Sequence, residues 1–194
     1  MSSPLANAIA ELSSPEADAR AQAARVIYES GRKRAIDATE EWSKDAELAR
    51  LILGPKRETT VGVAVGRETF GKIRVANSVA GLAEVPSEQD AEEFELHFTD
   101  EIQLDILTSR APGADGAIAK FLTKFGEGVQ QVEFRCENVD RATEILREKF
   151  GVKAVYAETR PGAGGTKVNF FLVKSADGGM ILIELYEAGP AQAK

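Results

Sequence analysis

From Thr59 onward, apolar and polar positions alternate with a period of two, the signature of strands with one buried face. Val61, Val63 and Val65 alternate with Thr60, Gly62 and Ala64; Phe94, Leu96 and Phe98 with Glu93, Glu95 and His97; Ile102, Leu104 and Ile106 with Gln103 and Asp105. The pattern returns downstream, where Val132 and Phe134 alternate with Gln131, Glu133 and Arg135, and Ile181, Ile183 and Leu185 with Leu182, Glu184 and Tyr186. One amphipathic helix is predicted over Val139 to Phe150, with Asn138 as N-cap and Gly151 as its stop. The whole predicts an α+β fold made of two tandem β-α-β-β-β units.

Before Thr59 the period is helical. Ser14-Pro15-Glu16 has the form of a helix start, and the helix formers from Ala19 to Ser30 are predicted to end at Gly31. A second helix is expected to carry Ala35, Ile36 and Trp42, and a third to carry Leu48, Leu51 and Ile52 before Gly54-Pro55 ends it. Their apolar residues are expected to dock on the body of the protein or on a second subunit. The domain organisation is therefore a helical extension over 1–56, a strand-rich domain over 57–188 with units of about 57–110 and 111–188, and a tail over 189–194.

Two sheets of this kind, with helices over their apolar faces, form a cupped mixed sheet whose other face lines a cleft. Thr60, Glu93, Glu95, His97, Gln103, Asp105, Gln131, Glu133, Arg135 and Glu184 would line it. Solvated antiparallel strands give the same alternation, so the pattern alone is equally compatible with side chains that face water.

Composition narrows the function classes. Thirty-one acidic against 24 basic residues give a net charge of −7, which repels a phosphate backbone, so a nucleic-acid partner is not expected. No apolar run approaches the roughly 20 residues that span a bilayer, and MSSPLANAIAELSS does not read as a signal peptide. The single Cys136 allows no internal disulfide and falls on an apolar strand face, which suits a buried small hydrophobe in a cytoplasmic protein. The lone His97 has no recognisable nucleophile beside it, and the glycine-rich loop Arg160 to Lys167 lacks the spacing of a nucleotide P-loop.

The order of GAIAKFLTKFGEGVQQVEF, NVDRATEILREKFGV and ETRPGAGGTKVNFFLVKSADGGMILIELYE, from Gly116 to Glu187, resembles the second half of methylmalonyl-CoA epimerase. That enzyme belongs to the vicinal oxygen chelate superfamily, with glyoxalase I, extradiol dioxygenases and bleomycin-resistance proteins. Thr59 to Ser109 fits the first half with a shortened crossover, and residues before about Arg57 have no counterpart in it. Gln130 and Gln131 stand where the family carries paired His.

The resemblance implies a divalent metal held at Thr60, Asp105, Gln131 and Glu184, with both imidazole positions replaced. Such an all-oxygen set suits magnesium, calcium or manganese better than a late transition metal, with cobalt as a further candidate. It also implies Glu93 and Glu184 as acid/base groups on opposite sides of a carbon next to a carbonyl, and Gln131 with Arg135 as stabilisers of the enolate. Arg135, Lys167 and Asn169 are the expected ligand contacts, and a homodimer is the expected assembly. Three readings follow: an epimerase-like isomerase or glyoxalase-like lyase acting on a small organic acid or acyl-CoA-like ligand, a metal-free binding protein that sequesters a small molecule without turnover, or a vestigial cleft with N-terminal helices that mediate assembly.

Overall fold

The computed structural model describes residues 3–53, 59–87, 90–111, 113, 115–176 and 178–189. The chain divides into two compact units, Met1–Gly31 with Thr60–Gln130, and Arg32–Thr59 with Gln131–Lys194. The division falls inside α2 (Ala17–Ala38) and inside β4 (Gly128–Arg135). Both units combine a sheet with helices, so the α+β class read from the periodicity holds.

The first unit contains α1 (Pro4–Glu11), most of α2, β1 (Thr59–Ala64) from Thr60, α4 (Arg67–Ala76), β2 (Ala91–His97), β3 (Gln103–Ser109) and α5 (Ala117–Phe125). Its strands lie in the order β2-β3-β1, with β1 parallel and β2 antiparallel to β3. Val61, Val63, Leu104 and Ile106 are fully buried, and Phe94 stacks at a tilt on Phe70 of α4 with ring centroids 4.8 Å apart. Helix α4 escapes a periodicity reading because Phe70 and Ile73 are its only buried positions. The Asn77 amide behind it donates to Leu12 O at 3.0 Å and Ile73 O at 2.8 Å, and Arg20 Nε donates to Asn77 Oδ1 at 3.1 Å, which ties α1 and α2 to α4.

Gly31 does not stop its helix: α2 runs 22 residues through it to Ala38. The glycine answers a packing demand, since a Cβ there would stand 2.7 Å from Val61 Cγ1 and 3.4 Å from Val129 Cγ1. Close approach of the helix outweighs the roughly 1 kcal/mol that glycine costs in a helix interior. The helix begins at Ala17 and not at Pro15, so Ser14 is not its N-cap; its Oγ accepts the Glu16 N–H at 3.3 Å just ahead of the helix. Ala35 and Ile36 consequently belong to α2, and Trp42 sits instead on a 3-10 turn, Glu40–Lys44. Gly54-Pro55 lies outside the described residues.

The second unit holds the end of α2, that 3-10 turn, α3 (Ala46–Leu53), β4 from Gln131, α6 (Val139–Phe150), β5 (Arg160–Pro161), β6 (Lys167–Lys174) and β7 (Met180–Glu187). Its strand order is β4-β7-β6-β5, with β4 parallel to β7 and the others antiparallel. Helix α6 has the predicted bounds: Asn138 Oδ1 accepts the Arg141 N–H at 2.9 Å, and Gly151 closes the helix at φ 64°. Trp42 meets Phe171 edge-on at 6.1 Å over a core of Val132, Phe134, Ile183 and Leu185. Helix α3 is pinned to α6 by a two-point Arg141–Glu47 pair at 2.7 and 2.9 Å and by Lys149–Asp45 at 2.6 Å. Within this unit the N-terminal apolar residues therefore dock on the body, as their spacing suggests. Among the described residues the first unit runs β-α-β-β, and the second β-α-β-β-β.

Candidate functional site

Strand register arranges the polar face of the first unit as a grid. His97, Gln103 and Thr60 form one row, Glu95, Asp105 and Gly62 the next, and Glu93, Leu107 and Ala64 the third. Thr60 and Asp105 are buried, at 6% and 5% exposure, so the alternating polar positions of these central strands do not simply face water. The Thr60 hydroxyl donates to Gln103 Oε1 at 3.3 Å. Thr60 and Asp105 share the face but lie in neighbouring rows.

Glu93 is the electrostatically displaced group here. Burial, followed by the negative charge of Glu95, pushes its carboxyl up to about 7. A carboxyl so placed can hold or release a proton near neutral pH, as a general acid/base requires. His97 is turned to Glu95, with Nε2 and Oε2 2.9 Å apart, and both side chains are exposed. Burial raises the Cys136 thiol to about 11, consistent with the inert role expected of it.

In the second unit Gln131 is the organising residue. Its amide Nε2 donates to Glu184 Oε2 at 2.7 Å and to Glu133 Oε1 at 3.1 Å. Glu133 and Glu184 stand directly opposite one another on parallel strands β4 and β7. Like charges in that position repel, and the amide's two hydrogens offset the repulsion. Glu133 was legible only as one of ten alternating positions; a residue two places from Gln131 on the same strand face was the available signal. Gln130, its neighbour, is also buried, and its Oε1 accepts no hydrogen bond among the described residues.

The other expected ligand contacts are dispersed. Arg135 lies on the Glu133 face, opposite Tyr186 in register. Asn169 is fully buried on the opposite side of the sheet, paired with Leu185, where its amide donates to Tyr156 O at 3.3 Å and its Oδ1 accepts the Phe170 N–H at 2.9 Å. Lys167 is on that same side and pairs with Asp140, which also accepts the Thr159 hydroxyl at 2.8 Å. The structure brings neither Asn169 nor Lys167 to Glu184. Arg160 does reach the functional side of its strand: it continues the row Arg135, Tyr186, Val168, and its guanidinium lies 3.8 Å over the Tyr156 ring.

Of the four positions matched to a metal site, Thr60 and Asp105 lie in the first unit and Gln131 and Glu184 in the second. Among the described residues no group of three His, Cys, Asp or Glu side chains is placed to hold an ion. Gln131 turns its amide nitrogen, and not its oxygen, to the carboxylate of Glu184.

No family model matches the sequence, and no curated protein matches it. Solved structures do. Methylmalonyl-CoA epimerase from Mycobacterium tuberculosis is 30% identical, with a TM-score of 0.58 over 72% of this chain and 91% of that one. The chain belongs to the vicinal oxygen chelate family that holds the methylmalonyl-CoA epimerases. A variant of the Streptomyces coelicolor epimerase in complex with 2-nitronate-propionyl-CoA is 28% identical, with a TM-score of 0.54 over 69% of this chain and 98% of that one. An epimerase in complex with methylmalonyl-CoA and ammonium is 27% identical, with a TM-score of 0.56 over 74% and 99%. Among the described residues of this family member, no helix is long and apolar enough to cross a membrane.

Proposed function

We propose that this protein binds an acyl-CoA-like thioester and moves a proton at the carbon beside its carbonyl, with Glu184 and Glu93 as the acid/base groups. The observation that carries the reading is the contrast between them: Glu93 is raised to about 7 by burial, whereas Glu184 accepts a short hydrogen bond from Gln131. A carboxyl raised to about 7 can give a proton near neutral pH, and Glu184 is proposed as the group that takes one. The solved epimerase complexes with CoA esters support the ligand class. Arg135 and Arg160 are the cations proposed for the phosphate-bearing tail, Arg160 already ordered on Tyr156.

Glu184 removes the α-proton, the Arg135 guanidinium is the donor proposed to stabilise the enolate oxygen, and Glu93 returns a proton to the opposite face of the carbon. Proton NMR in D2O tests it: an α-branched acyl-CoA should lose its α-proton signal in the presence of wild-type protein, and neither Glu184→Gln nor Glu93→Gln should support the loss. Tight binding without exchange would replace this reading with metal-free sequestration. The use of both amide hydrogens of Gln131 on carboxylates specifically favours that second reading over a metalloenzyme.

A further inference from the structure

We infer that an apolar band on the open face of β6 and β7 takes the alkyl chain of the ligand, so that the protein prefers acyl groups of medium length to short ones. The inference rests on the acyl-CoA reading and adds to it the chemical class of the acyl group.

These two strands are apolar on both faces. Phe171, Ile181, Ile183 and Leu185 are buried on one side, where Trp42 and α6 pack. On the other side the register sets three rows in succession: Phe170 with Glu184, Leu172 with Leu182, and Lys174 with Met180. The unbroken runs FFLV, from Phe170, and MILI, from Met180, have the composition of strands covered on both faces. Here the second face stays open, with Leu172 54% and Met180 48% exposed and Phe170 and Leu182 half-buried. Contiguous exposed apolar side chains of this kind mark a surface that something else covers.

Position and size decide the occupant. Phe170 stands directly opposite Glu184, the group proposed to take the α-proton, so an alkyl chain on that carbon enters the band at its first row. The Phe170 ring is fixed there by Tyr156, which meets it edge-on at 6.0 Å, and its carbonyl accepts the Val155 N–H at 2.7 Å. From Glu184 to Met180 the band covers two register steps, roughly 14 Å at about 3.4 Å per residue, the reach of an extended chain of about ten carbons. The exposed Lys174 shares the last row and ends the apolar stretch. Four side chains fall far short of the roughly 800 Å² that a stable protein interface takes from each partner, but they match the footprint of a single alkyl chain.

Isothermal titration of the full chain with coenzyme A, propionyl-CoA, hexanoyl-CoA and decanoyl-CoA, each below its micellar concentration, tests the band. A chain covered on one side should gain about twofold in affinity per methylene, half the logarithmic gain of full burial, so decanoyl-CoA should bind on the order of 100-fold more tightly than propionyl-CoA, with hexanoyl-CoA between them. Leu172→Thr, which keeps strand propensity at an exposed position, should weaken decanoyl-CoA at least about fivefold, and propionyl-CoA, too short to reach it, by less than about twofold. Met180→Thr should act in the same direction on decanoyl-CoA. Val75→Thr, at an 80% exposed position on α4 of the first unit, should change none of them. Propionyl-CoA bound as tightly as decanoyl-CoA overturns the inference and leaves the acyl-CoA reading standing. So does a gradient that survives both strand variants, or one that Val75→Thr reduces equally, which marks non-specific adsorption. A dimer that Leu172→Thr converts to monomer in sedimentation, with the gradient intact, makes the band a contact between copies and overturns it as well. Absence of binding by all four compounds removes the acyl-CoA reading and the inference with it.

Discussion

The two units face the same electrostatic problem and solve it differently. Each sets carboxylates close together on the polar face of a sheet, where they repel one another. In the first unit Glu93 lies two residues from Glu95, and the balance shifts toward keeping a proton, so its carboxyl rises to about 7. In the second, Glu133 and Glu184 stand opposite each other and Gln131 supplies two N–H groups to them. Protonation and amide donation are alternative ways of offsetting negative charge, but they leave different chemistry behind. The first yields an acid near neutrality; the second leaves two carboxylates bonded to one amide.

That contrast can be broken most severely at Glu184. Glu184→Gln should lower α-proton exchange by at least about 100-fold, the usual scale for loss of a general base, read by NMR in D2O; a smaller effect would move the base elsewhere. Gln131→Leu should come next, costing about 1–3 kcal/mol in urea unfolding at pH 7, because two facing carboxylates lose their shared donor. If the variant is as stable as wild type, the amide is not what offsets their repulsion.

Glu93→Gln tests the other half through pH. With a folded value of about 7 against an ordinary value near 4.3 in the unfolded chain, the folded state holds a proton through that window which the unfolded state has lost. Wild-type stability contributed by this group is therefore present below about 4.3 and falls as pH rises to about 7. Relative to wild type, the variant should gain about 1–2 kcal/mol between pH 4 and pH 8, a flat difference being the result that removes Glu93 as the displaced group.

A smaller effect separates two glycines of the first unit. Gly31→Ala should destabilise by about 1 kcal/mol, since its Cβ meets Val61 at 2.7 Å, whereas Gly71→Ala, with nothing within 4 Å, should stabilise by a similar amount. Thermal melts of the pair would show whether packing at Gly31 has been read correctly. Arg141→Ala should matter least, under about 1 kcal/mol, because its pairs with Glu47 and Glu144 are partly exposed.

Local rules made much of the second unit readable. Asn138, the apolar stripe of α6 and Gly151 give the bounds of that helix because a cap, a period and a left-handed stop are properties of adjacent residues. The same reasoning failed at Gly31, where a neighbour 30 residues away, Val61, decides what glycine is for. It also failed to separate Asn169 from Glu184: both are polar residues on strands, but strand parity places one opposite Leu185 and the other opposite Glu133 and Phe170.

The sequence by itself determined the α+β class, the strand faces and the resemblance that led to Glu93 and Glu184, since alternation and order are written along the chain. Tertiary structure decided which of those polar residues meet. Register brings Glu133 opposite Glu184, and the reach of one Gln131 side chain spans both. Burial by residues distant in sequence raises Glu93. Charge and hydrogen-bond compensation depend on distances between strands, and those distances exist only once the strands have paired.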